Sequence, residues 1–169
     1  MIDNQVVYDV FKAAVAKMKI PGYDSVNFEG GRSYEIVKSL IEKDNVQVLQ
    51  SLKYPLVAVL MPVVENNGTG FQIVRVNRIV IAHLTNQDIS VDQRYSPEEV
   101  FKTVLYPCYK ELLRQLAWST STSMGDPWAI PHACFDNPSR QSIGKGLQDY
   151  VDTIEIGNLE LILHQIKTC

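Results

Sequence analysis

Cysteine is scarce in this 169-residue chain: Cys108, Cys134 and Cys169 make an odd set with no close spacing. A disulfide framework or a structural zinc site needs an even set or paired spacing, so the thiols read as isolated and the compartment as reducing. Long apolar runs are missing too, none approaching the ~20 residues that span a bilayer. The N-terminal MIDNQVVYDVFKAAVAK carries acidic and amide residues where a secretory leader needs lysines. A protein that is cytosolic where it is made, with no membrane partner, is the expectation. Basic blocks are absent as well. The net charge is −3, and Lys17, Lys19, Lys43, Arg75, Arg78, Arg114 and Lys145 are scattered. An autonomous nucleic-acid binder needs a clustered positive field, so this class is disfavoured.

With 46% hydrophobic and 21% charged residues, the chain has an ordinary globular profile, and its length suits one domain over 1–169. Its strongest signals are structural. Val6, Val7, Val10, Phe11, Ala14, Val15 and Met18 recur at helical spacing and predict a helix over Asn4–Lys19, ended by Pro21 and Gly22. A short extended piece, Ser25–Phe28, is followed by a break at Gly30 and Gly31. Ser33 is the expected N-cap of a second helix, Tyr34–Lys43. Tyr54–Met61 reads as a strand covered on both faces and stopped by Pro62. Glu65, Asn66, Asn67, Gly68, Thr69 and Gly70 have the composition of a hairpin loop.

The returning strand, Phe71–Leu84, is expected to place Phe71, Ile73, Ile79 and Ile81 on one face and Val74, Val76, Val80 and Leu84 on the other. The polar interruption at Asn77 and Arg78 marks a bulge or twist. Ser96, Pro97 and Glu99 form the pattern of a capping box that opens a helix to about Trp118. Pro107 should kink that helix. Val104, Cys108, Leu112 and Leu116 give it a buried stripe. From Ser121 to Gly146 the chain is rich in Ser, Pro and Gly and is expected to form a long loop, about 119–147. Asp152–Ile156 and Leu159–Leu163 read as two strands around a turn at Gly157 and Asn158. The fold class expected is α+β, a mostly antiparallel or mixed sheet with a long kinked helix packed on one face.

Candidate chemistry is thin. His132, Cys134 and Asp136 are the best case for a thiolate pair, which would make the chain a small cytosolic enzyme, but neighbours in sequence rarely face each other. Gly30, Gly31, Arg32 and Ser33 could offer backbone N–H groups to an anion, yet the pattern lacks the lysine of a phosphate loop and the spacing of a dinucleotide loop. Asp149, Asp152 and Glu155 could collect a hard cation, although no glycine-centred calcium loop surrounds them and a solvated face is the simpler reading. Tyr106, Tyr109, Trp118 and Trp128 could stack on bases, although packing or a subunit contact needs fewer assumptions. No catalytic residue, metal site or cofactor is assigned from these patterns.

The segments EIVKSLIEKD, KYPLVAVL, IVIAHLTNQD, RYSPEEVFKTVLYPCYKELLRQLA and DYVDTIEIGNLEL resemble small proteins of Bacteroidetes phages and prophages that sit among head–tail and tail genes. Their order is similar to that of tail terminator, or tail-completion, proteins of long-tailed phages. The resemblance covers about residues 33–163 without the loop after Trp118. It implies a tail-terminator-like virion protein of the head–tail junction or upper tail, with no catalytic residues. Such proteins form homo-oligomeric rings, commonly hexameric, beside neck, portal or tail-tube proteins, and let DNA pass without specific binding. Another connector or neck ring protein is the alternative within the class. Glu65, Asn66, Asn67, Trp118, Trp128 and Phe135 are the candidate subunit contacts, because a hairpin tip and a long loop need neighbours to order them.

Overall fold

The computed structural model describes residues 4–46, 49, 52–67, 72–85, 88–117, 122–124, 132–135 and 149–163. Helix α1 runs Asn4–Ala16, and Val7, Phe11, Ala14 and Val15 form its buried stripe, as their spacing requires. It stops short of Lys19 because Lys17 and Met18 switch to three-residue bonds onto Ala14 and Val15. Strand β1 is Asn27–Gly31, so Gly30 and Gly31 finish a strand instead of breaking the chain. Helix α2, Ser33–Asp44, is capped by Arg32 and not by Ser33: the Arg32 N–H donates to Glu35 Oε2 at 2.7 Å.

Strands β2 (Leu56–Asn67) and β3 (Gln72–Leu84) form a long antiparallel pair. Pro62 does not end β2. The pairing passes from Leu60 with Arg78 to Val63 with Val76, so Met61 and Pro62 together oppose Asn77. A proline without an N–H is tolerated at such a bulge, where the ladder has already lost its regular bonds. Glu65, Asn66 and Asn67 are likewise not loop residues: they pair with Val74, Ile73 and Gln72.

The short helix α3, Val91–Arg94, follows, with the Ser90 N–H donating to Gln93 Oε1 at 3.1 Å. Residues 96–99 are a turn, so the expected capping box there does not open a helix. A π-helical segment, Phe101–Leu105, leads into α4, Tyr106–Ala117, and the Tyr106 N–H bonds back to Phe101 O. The single long helix is thus divided just before Pro107. A proline cannot donate and crowds the carbonyl four residues back, and widening the preceding turn relieves both conflicts. Trp118 lies outside the described residues.

The sequence from 121 to 146 is not wholly loop. It contains β4, Thr122–Met124, and β5, His132–Phe135, both antiparallel to β6, Val151–Leu163. The sheet order is β1-β2-β3-β6, with β4 and β5 on the outer edge of β6; only β1 is parallel to its neighbour. The architecture is therefore α+β around a mixed sheet. Gly157 and Asn158 do not make a turn, since β6 runs straight past them in constant register with β3.

What happens there is a reversal of faces. Val74, Val76, Ile79 and Ile81 all enter one core, as do Ile154, Ile156, Leu159 and Leu161. Strict alternation would send the two halves of each strand to opposite sides. Asn158 has a positive φ of 55°, and Asn tolerates that left-handed region better than most residues. That core is roofed by α1, the π-helical segment and α4, through Phe11, Phe101, Leu105, Cys108, Leu112 and Leu116. On the opposite face α2 seats Ile36, Val37 and Leu40 over Leu56, Ala58, Val80, Ala82 and Val151.

Candidate functional site

The richest polar chemistry lies at the end of the sheet where β2 starts and β3 finishes. Lys53 is carried there just before the apolar run of β2, and its side chain is only 3% exposed. A buried ammonium needs partners. It donates to Asp44 Oδ1 at 2.7 Å, from the end of α2, and to Asp149 Oδ2, just before β6. The Tyr54 hydroxyl donates to the same Asp149 oxygen at 3.0 Å. Burial, then the Asp149 charge, pushes the Tyr54 pKa well above the usual phenol range, so it stays a donor. A second link runs through Lys43, which donates to Asn27 Oδ1 at 2.7 Å and Glu29 Oε1 at 2.5 Å. Asn27 in turn donates to Lys53 O at 3.3 Å.

Beside this cluster, His83 Nδ1 lies 2.8 Å from Leu84 O, and its Nε2 lies 2.7 Å from the Tyr23 hydroxyl. A carbonyl can only accept, so Nδ1 carries the proton and Nε2 accepts from Tyr23. Burial lowers the His83 pKa, against the opposing pulls of Leu84 O and Asp152, and keeps the ring neutral. Arg94 Nη1 donates to Asp152 Oδ1 at 2.7 Å, both side chains being buried. Each of these groups is held by a fixed partner. The arrangement can lock β6 and α2 to the sheet, with Arg94 Nε left as a buried donor without a hydrogen-bond partner.

The residues singled out in the sequence fare differently. Asp149, Asp152 and Glu155 do not form a cation site or a solvated face. They take Lys53, Arg94 and Arg78 respectively, and Arg78 Nη2 donates to Glu155 Oε2 at 2.9 Å. Among the described residues no three His, Cys, Asp or Glu side chains gather as metal ligands would. The anion reading of Gly30–Ser33 fails because the Arg32 N–H is already taken by Glu35. His132 and Cys134 lie on β5, opposite Ile156 and Ile154, and Asp136 lies outside the described residues. Among the proposed contacts, Phe135 pairs with Thr153, and Glu65, Asn66 and Asn67 lie in the β2–β3 ladder. Trp128, Gly68, Thr69, Gly70 and Phe71 lie outside the described residues. Tyr106 and Tyr109 do stack, with centroids 6.0 Å apart, but Tyr109 is buried against the core.

Two surfaces stand out among the described residues. The outer side of α2 has a shallow groove of about 720 Å3, with Tyr34, Val37 and Ile41 as its apolar lining and Arg32, Lys38 and Glu42 around them. The described lining residues all come from this one helix and its cap. The other surface is the outer side of α4, where Lys102 and Lys110 lie over the Tyr106 ring. Sequence reasoning missed Lys53, Tyr54, Tyr23 and His83, whose partners are remote in the chain. No described helix is long and apolar enough to cross a membrane. No family model, curated protein or solved structure matches this chain.

Proposed function

We propose that this chain is a phage virion structural protein of the head–tail junction or upper tail, a terminator-like ring subunit that caps or joins the tail and lets DNA pass. The observation that carries the reading is the outer face of α2, where Tyr34 is 62% and Ile41 41% exposed above the buried Val37. Apolar side chains set side by side in water on one helix face suit a surface that another protein covers. The polar network supports the same reading, because its groups are paired with one another and free to hold a scaffold rigid. The sequence resemblance supplies the class of assembly: a homo-oligomeric ring, commonly hexameric, against neck, portal or tail-tube proteins. Made in the bacterial host cytoplasm, the protein would end in the virion.

Quantitative mass spectrometry and cryo-EM of purified particles test this. Ring density at the neck or tail end, with the same copy number by both methods, is the expected result. Absence of the protein from mature particles overturns it.

A further inference from the structure

The connection from α1 to β1 is tied at its middle by a hydrogen bond to the end of β3. Ile20 is buried and bridges to Tyr23, whose N–H donates to Ile20 O at 3.1 Å. Asn27 opens β1 with its N–H on Pro55 O at 2.8 Å. Between those anchors Pro21, Gly22, Asp24 and Ser25 are exposed, and Gly22 takes a positive φ of 83°. Tyr23 and Val26 are half-buried and pack against the main core. The Tyr23 hydroxyl lies 2.7 Å from His83 Nε2, and the two rings meet edge to face with centroids 5.3 Å apart.

This bond works with a neutral imidazole. Nδ1 is committed to Leu84 O, so Nε2 accepts from the phenol. A proton on Nε2 turns it into a donor, and the Tyr23 hydrogen must then find another acceptor. The other groups around the ring offer little to an imidazolium. Tyr54 lies across from it, centroids 6.3 Å apart, with its hydroxyl given to Asp149, which also holds Lys53. Asp152 is its cross-strand neighbour on β6, but Oδ1 of that carboxylate takes Arg94 Nη1 at 2.7 Å. Cys108, on α4 beside Tyr23, is a buried thiol whose pKa burial pushes up to about 12, so it stays neutral. A charged ring is therefore better served by water. The easiest way to water is through the connection, because its exposed residues have few contacts to lose.

We propose that residues 21–25 form an acid-released strap, latched at neutral pH by the Tyr23–His83 hydrogen bond and freed when His83 takes a proton. The sign follows from linkage: a covered ring is harder to protonate, so each proton bound favours the uncovered state. Opening should grow as pH falls below about 6.5, by up to about tenfold per pH unit. It should level off once the covered ring itself is protonated.

Hydrogen exchange of the full chain, read by mass spectrometry and divided by the intrinsic chemical rate at each pH, tests this. Expected is a rise of about threefold or more in the opening of residues 20–27 between about pH 7.5 and about pH 5.5. Residues 108–116 of α4 should keep their protection over the same range. His83→Gln should remove the pH response. Tyr23→Phe, which deletes the latch but keeps the ring, should exchange about fivefold faster than wild type at about pH 7.5. No pH response in residues 20–27, or one that survives in His83→Gln, overturns the strap. So does a response shared by residues 108–116, since that is opening of the whole domain. If His83→Gln does not fold, Tyr23→Phe decides: exchange equal to wild type at neutral pH overturns the latch.

Discussion

The Tyr8 ring of α1 fills the space that a side chain at Gly30 of β1 would need. A Cβ built at Gly30 meets Tyr8 Cδ2 at 2.6 Å and Cε2 at 2.8 Å. Tyr8 is held there by an edge contact with Phe28, centroids 5.0 Å apart, and by Lys12 above its ring. Gly30→Ala should therefore cost about 1–3 kcal/mol, as overpacked positions do. In a Tyr8→Ala background the same change should cost much less, because the ring makes the two shortest contacts and Phe28 Cζ, at 3.3 Å, has only to give slightly. Urea unfolding of the double-mutant cycle measures the coupling, and additive effects would show that Tyr8 does not set the glycine.

The two carboxylates on Lys53 should not count equally. Asp149 is 25% exposed and also accepts from Tyr54, whereas Asp44 is 43% exposed. Asp149→Asn leaves a buried ammonium and a phenol short of their acceptor and should cost about 3 kcal/mol. Asp44→Asn should cost about 1 kcal/mol or less, since water can replace it. Chemical denaturation ranks them, and equal losses would mean that Lys53 does not depend on its more buried partner.

How much of this was legible in the sequence depends on the range of the cause. The stripe Val104, Cys108, Leu112 and Leu116 could be read directly, because helical spacing is local, and all four residues are buried. The doubly covered β2 and β3 were visible as continuous apolar runs. Face reversal at Asn77 and Asn158 was not, because a period-2 reading assumes constant parity through the strand. Strands β4 and β5 exist by pairing with the edge of β6, a tertiary cause that a Ser-, Pro- and Gly-rich composition hides. The Lys53–Asp149 pair joins residues 96 positions apart, beyond any motif window.

The helix stripe gives a direct contrast. Leu112 is fully buried in the main core, and Leu112→Ala should cost about 2–5 kcal/mol. Arg114 is exposed and, among the described residues, pairs with Glu111 one turn before it, so Arg114→Ala in the isolated protein should stay within about 0.5 kcal/mol. Thermal melts of both variants suffice. A Leu112 variant that melts with wild type would mean that the α4 face is misassigned.

Stability should carry a histidine signature. His83 is neutral in the fold with its pKa held below the ordinary 6.5 by burial. The unfolded chain therefore takes up a proton first as pH falls, and the folded state loses stability from about 6.5 down to the depressed folded value. Above that window the group contributes no slope. Groups facing it are Tyr23, Tyr54 and Asp152, the last already paired with Arg94. His83→Gln should flatten the stability profile just below about pH 6.5. An unchanged slope would assign the proton uptake to another group.

Asn158 supplies the last test, because the reversal of β6 depends on its backbone. At φ 55° a β-branched side chain collides with its own carbonyl, while glycine has nothing to collide. Asn158→Gly should therefore be tolerated within about 1 kcal/mol, and Asn158→Val should cost about 1–3 kcal/mol. The loss should also be local. If Asn158 is driven back to extended geometry, Leu159, Leu161 and Leu163 turn away from the core they share with Val74 and Val76. Hydrogen exchange should then quicken in residues 159–163 before it does in 151–156. Uniform exchange along β6 in the valine variant, with stability unchanged, would mean that the strand reverses without help from this residue.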